Sequence, residues 1–138
     1  MSKFTRSFLA ALAVAYLSFG PVPWFGPAPA RADEPTLIML GYRDDGRTIA
    51  AGPGDLVRVL LVGGRDEQGA WAWDTPVSAD PAVLRQHGGR APQAGTAESI
   101  FTAVGPGSGT LVSARSCVPE PGTACPDPVP WQVTVVVR

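Results

Sequence analysis

A chain of 138 residues with 17% charged side chains, one histidine, two cysteines and a formal net charge of −1 carries no run of basic residues. That balance argues against nucleic acid and anionic membrane as partners, because both are recognised by clustered Lys and Arg. Sixteen glycines and fifteen prolines leave little room for helices and favour an all-β chain cut by turns.

Lys3 and Arg6 precede an apolar run at 8–19, and a Pro/Gly-rich stretch then ends in Ala30-Arg31-Ala32. This is the layout of a signal peptide covering 1–32, with a small-x-small cleavage site. The run is too short to cross a bilayer, and Gly20, Pro21 and Pro23 interrupt it. Only an uncleaved leader would give the chain a membrane anchor. The expected mature domain is 33–138, a single unit of 106 residues with eight arginines against twelve carboxylates. A chain of that size can bury an independent core, and it is expected to be secreted and monomeric.

Within the domain, 36–42 reads as a first strand, Asp44-Asp45-Gly46 as a turn and 47–51 as a short second strand. The organising stretch is 56–62, aliphatic throughout except Arg58 and entered through Gly-Pro-Gly-Asp at 52–55, as suits a core strand. A loop at 63–69 leads to Trp71 and Trp73, which share a face if 71–74 is extended. Further strands are expected at 82–86, 99–104, 110–115 and 131–137, with loops at 87–95, 105–109 and 116–130. Trp131, Val133, Val135 and Val137 alternate with Gln132 and Thr134, the pattern of a strand with one buried face. Seven to eight short strands without a helical period indicate an antiparallel immunoglobulin-like β-sandwich. A small barrel is the second architecture.

Chemistry-bearing constellations are sparse. His87 is the single histidine, with no nucleophile and acid placed to make it a base, and a cupredoxin-type copper site needs two. Gly105-Pro-Gly-Ser-Gly109 opens no helix and so is a hairpin turn rather than a phosphate cradle. Asp44-Asp45 and Asp66-Glu67 lack the spacing of a calcium loop. No catalytic residue, cofactor or metal is therefore expected, and the chain does not read as an enzyme. Cys117 and Cys125, a close pair in a secreted chain, are expected to form a disulfide. Of Trp71 and Trp73, at least one should fill the core, and the other is a candidate aromatic anchor for a partner.

The order of these features resembles chagasin-type inhibitors of papain-like cysteine proteases. Gly54-Asp55 precedes the strand 57–61, a loop ending in Gly69 leads to Trp71 and Trp73, and Phe101-Thr-Ala103 precedes Gly107 and Leu111 before the closing strand 131–137. The resemblance spans 47–138 and implies a secreted sandwich whose inhibition is carried by three loops at one end. The first loop normally reads Asn-Pro-Thr-Thr-Gly-aromatic; here 65–71 keeps Gly69 and a displaced Trp71. The second corresponds to the Gly-rich 88–95, and the third, usually Arg-Pro-Trp, to Arg115-Ser-Cys117. What the resemblance implies is a wedge in which Gln68, Gly69 and Trp71 enter a protease cleft, with Gly88, Gly89 and Arg115 beside them. A second reading, from the sandwich alone, is an immunoglobulin-like binding or envelope-structural module that holds another extracellular protein or a glycan.

Overall fold

Alternating side chains build both sheets. In the computed structural model, which describes Gly20 and residues 34–67 and 69–138, Val57, Val59 and Leu61 are fully buried, while Leu56, Arg58 and Leu60 face outward. The expected signal peptide, Gly20 apart, lies outside the described residues, as does Gln68.

The strands are β1 (Leu37–Leu40), β2 (Thr48–Ala51), β3 (Leu56–Leu61), β4 (Gly64–Asp66), β5 (Gly69–Trp73), β6 (Val77–Ser78), β7 (Leu84–Gln93), β8 (Thr96–Ala103), β9 (Gly107–Cys117) and β10 (Val129–Val137). One sheet has the order β1-β3-β8-β7, and the other β2-β10-β9-β5-β4 with β6 also on β9. Most pairs are antiparallel, but β1 runs parallel to β3 and β2 parallel to β10. A one-turn 3-10 helix, Tyr42–Asp44, joins the two edge strands β1 and β2. The all-β immunoglobulin-like sandwich with one disulfide, expected from the sequence, is what the chain forms.

Between the sheets, Val57, Val59, Leu61, Leu84 and Phe101 of the first meet Leu111, Trp131, Val133 and Val135 of the second, all at 0–1% exposure. Trp131 keeps its indole N–H satisfied by donating to the Gly41 carbonyl at 3.2 Å. Trp73, 6% exposed, is the core tryptophan of the Trp71/Trp73 pair and donates to the Val62 carbonyl at 3.1 Å. Ser99 is buried among these side chains, and its hydroxyl donates to the Pro76 carbonyl at 2.8 Å, so this buried polar group is satisfied.

Three expected boundaries shift, each for a physical reason. The 63–69 loop is instead the β4–β5 hairpin, closed by the pairs Gly64↔Trp71 and Asp66↔Gly69. The 87–95 loop is mostly β7, which pairs with β8 through Gly88↔Ile100 and Gly89↔Ser99 past a bulge at His87. The 105–109 turn is strand from Gly107 onward. One glycine in each of these two stretches serves close packing rather than reversal: a Cβ on Gly89 would lie 2.7 Å from the Glu98 carbonyl oxygen, and one on Gly109 would lie 2.8 Å from Leu84. Strand β5 stops before Pro76, which has no N–H for the ladder, and β6 resumes on β9 beyond it.

Candidate functional site: an aromatic cleft at one end of the sandwich

Three chain reversals meet at the end of the sandwich where β3 and β9 finish. The β4–β5 hairpin reverses between the paired Asp66 and Gly69. Strands β7 and β8 reverse through Ala94 and Gly95, at φ 50° and 80°, between the paired Gln93 and Thr96; two positive φ values in a two-residue loop are those of a type I′ turn. The third reversal, 118–128, connects β9 to β10 above the Arg115↔Val129 pair.

The first two are joined by hydrogen bonds and a close backbone approach. Trp73 N–H donates to the Gly95 carbonyl at 2.9 Å, and Gly63 N–H donates to the Thr96 hydroxyl at 3.0 Å. A Cβ on Gly63 would lie 2.4 Å from the Gly95 carbonyl carbon, so only glycine permits this approach. The first and third are joined by Val118 N–H donating to the Ala70 carbonyl at 2.9 Å and by an Arg65–Glu120 ion pair at 2.5 Å.

Between the β4–β5 hairpin and the 118–128 loop lies a cleft of about 180 Å³, with Trp71, Ala70, Val118 and Val129 as apolar lining and Asp66 and Glu120 among its carboxylates. Trp71 faces Cys117 across the β5–β9 pair and is half-buried against the core. Its indole lies over Gly64 of β4, where a Cβ would come within 2.7 Å of the ring. The Arg115 guanidinium lies 5.9 Å from the ring centres of both Trp71 and Trp73, a distance at which the ring quadrupole attracts a cation. Val62, Val118 and Val129 are exposed by 55, 42 and 47% at this same end. Such an apolar rim around a concave, partly aromatic floor suits a protein partner.

Of the residues expected to bind, Gly69, Trp71 and Arg115 line this cleft, and Cys117 and Cys125 form the disulfide that closes its outer loop. Gln68 is outside the described residues. Gly88 and Gly89 lie within β7, five residues or more before the β7–β8 turn, so they do not form the loop tip expected of them. Val118, Glu120 and Val129 were not singled out from the sequence. The Pro-rich stretch around them has no period to reveal which side chains turn inward, so only the flanking cysteines could have pointed there. Among the described residues no group of three or more His, Cys, Asp or Glu side chains is placed to hold a metal ion, and His87 is an exposed bulge residue.

Charge elsewhere is organised for structure. Asp55 accepts backbone N–H bonds from Thr36 at 2.9 Å and Gly52 at 2.7 Å, which hold its carboxyl below the ordinary range. Asp44 is lowered chiefly by the Gly41 N–H and then by Arg47. Glu98 is lowered by a two-pronged bond from Arg58, both contacts 3.1 Å.

With the end-clustered reversals established, solved structures give the comparison. The fold matches that of a cysteine protease inhibitor. The crystal structure of the cysteine protease inhibitor EhICP2 from Entamoeba histolytica aligns over 75% of this chain and 96% of its own, with a TM-score of 0.53 and 17% identity. The solution structure of amebosin aligns over 76% of this chain and all of its own at a TM-score of 0.44 and 13% identity. No protein-family model and no curated protein is significantly similar in sequence. The resemblance drawn from the order of sequence features is thus borne out as a likeness of fold.

Proposed function

We propose that the chain is a secreted, non-enzymatic inhibitor-like protein that presents the Trp71 end of its sandwich to the cleft of a papain-like cysteine protease. The observation that carries this reading is the convergence of three reversals around a half-exposed Trp71, on a fold shared with a cysteine protease inhibitor. Obstruction of a cleft needs shape and rigidity rather than reactive groups. The Gly63–Gly95 approach and the disulfide supply that rigidity. In this reading Gln68, Gly69 and Trp71 enter the protease cleft, Arg115 braces Trp71 from behind, and the 93–96 turn takes the flanking position assigned to Gly88 and Gly89 on sequence. The disulfide suits an oxidising compartment, in keeping with a leader at 1–32.

The concavity of the end favours a second reading. A wedge is convex, whereas this end holds a cavity of about 180 Å³ able to receive a side chain, as an immunoglobulin-like binding or envelope-structural module would.

Titration of a papain-like protease with the purified, oxidised protein separates the two. Two variants accompany it. Gly69→Glu imposes a side chain at φ 123°, which strains the hairpin itself, whereas Val118→Glu adds charge at an exposed position without backbone strain. Inhibition tighter than about 1 μM, weakened about tenfold or more in both variants, is the expected result. A folded, oxidised protein that leaves the protease active at about 100 μM sinks the inhibitor reading and leaves the binding module.

A further inference from the structure

The outer wall of the cleft lacks the backbone ladder that supports the sheets. Residues 118–128 are exposed throughout and contain no strand or helix, and Pro119, Pro121, Pro126 and Pro128 have no N–H to donate. Among the described residues, this loop is tied to the hairpin opposite by the Val118–Ala70 backbone bond and by the Arg65–Glu120 ion pair, whose side chains are 68 and 43% exposed. An exposed pair of that kind holds little. A stronger constraint is covalent, the Cys117–Cys125 disulfide, which closes a loop of sequence separation 8. The sandwich does not depend on it in the same way: neither cysteine belongs to the core, and β9 and β10 pair continuously from Arg115↔Val129 to Gly107↔Val137 without it.

We propose that this disulfide is a redox gate on the cleft: oxidised, it holds 118–128 as the wall beside Trp71; reduced, it releases the wall while the sandwich stays folded. The proposal rests on the reading of the cleft as the binding end. Cys125 is exposed, so a thiolate can reach it. A dithiol reductant supplies two electrons and two protons, the Sγ–Sγ bond breaks to leave two thiols, and the reductant closes to its own disulfide. Released, the loop regains the conformational freedom that loop closure had removed. Val118 and Glu120 then no longer face Ala70 and Arg65, and Trp71 loses one side of its enclosure. Inhibitor function would be confined to oxidising surroundings.

The test uses elastase on the oxidised chain and on the Cys117→Ser/Cys125→Ser double variant, with cuts located by mass spectrometry after reduction. Cleavage after Ala124, in the wall, reports the gate. Cleavage after Ala97, fully buried in β8, reports loss of the whole fold. We expect the Ala124 cut to be about tenfold faster or more in the double variant, with Ala97 protected in both forms. Equal rates at Ala124 would show that the wall holds without the crosslink, and equal cutting at Ala97 and Ala124 in the variant would show that the disulfide supports the entire sandwich; either result overturns the gate. Protease inhibition, measured in parallel, should weaken about tenfold or more in the variant. If the oxidised chain inhibits nothing, the inhibitor reading falls while the Ala124 cut still decides the gate.

Discussion

Trp131 shows how one side chain can serve both sheets. It projects inward from β10, is 1% exposed, and its N–H reaches the Gly41 carbonyl just after β1. Removing the indole vacates a large volume that the surrounding Val and Leu side chains cannot refill, and it leaves the Gly41 carbonyl without that donor. Trp131→Ala should therefore cost about 3–5 kcal/mol of stability, measured by denaturant unfolding with an unchanged slope. A loss under about 1 kcal/mol would mean that the core closes over the gap. Trp131 was legible as core from its alternation with Val133 and Val135, because period-2 burial is written directly into the residue order. Trp71 was only half legible. Its face follows from the same parity as Trp73, but its partial exposure depends on Gly64 and Arg115, which reach it from other strands.

At the level of elements, what positions the cleft is a contact between two hairpins rather than any single turn. Gly63, at the entry to β4, lies against Gly95 in the β7–β8 turn, and Gly95 in turn leaves no room for a Cβ, which would lie 2.7 Å from the Trp71 carbonyl oxygen. Gly63→Ala forces the two backbones apart, since the atoms it meets belong to the main chain and cannot swing away. The expected result is a loss of about 1–3 kcal/mol, accompanied by altered amide shifts for Trp73 and Thr96, which take part in the bonds across this contact. Wild-type stability and shifts in Gly63→Ala would show that the hairpins are not locked. This contact explains why 63–69 and 87–95 carry the sequence marks of loops although both are largely strand. Glycine signals a reversal and a close backbone approach equally well, and only the partner strand distinguishes them. Where a dense aliphatic run or a clean alternation marks the strand, as in β3 and β10, the strands fall close to their expected places.

At the scale of the domain, three lowered carboxyls among the described residues cross-link its strands and connections. Asp55 links the start of β1 to the turn before β3 through Thr36 and Gly52. Glu98 joins β8 to β3 through Arg58, and Asp44 holds the connection from β1 to β2 through Gly41 and Arg47. Each has a folded pKa below its ordinary value. Between the folded and ordinary values the unfolded chain binds more protons than the folded one, so stability rises with pH there. The contribution is complete above the ordinary carboxylate range, about pH 4–5, and is lost as the pH falls through the lower folded values. Thermal midpoints should therefore be nearly flat from about pH 7 to pH 5 and drop steeply below about pH 4. Asp55→Asn keeps an acceptor oxygen but cannot titrate, so it should unfold at a lower temperature than the native chain near neutrality and lose less on acidification. The two curves should converge at low pH, where Asp55 is itself protonated. Parallel curves down to about pH 2 would show that the Thr36 and Gly52 bonds do not favour the charged carboxylate, and the link from β1 to β3 would then rest on the backbone ladder alone.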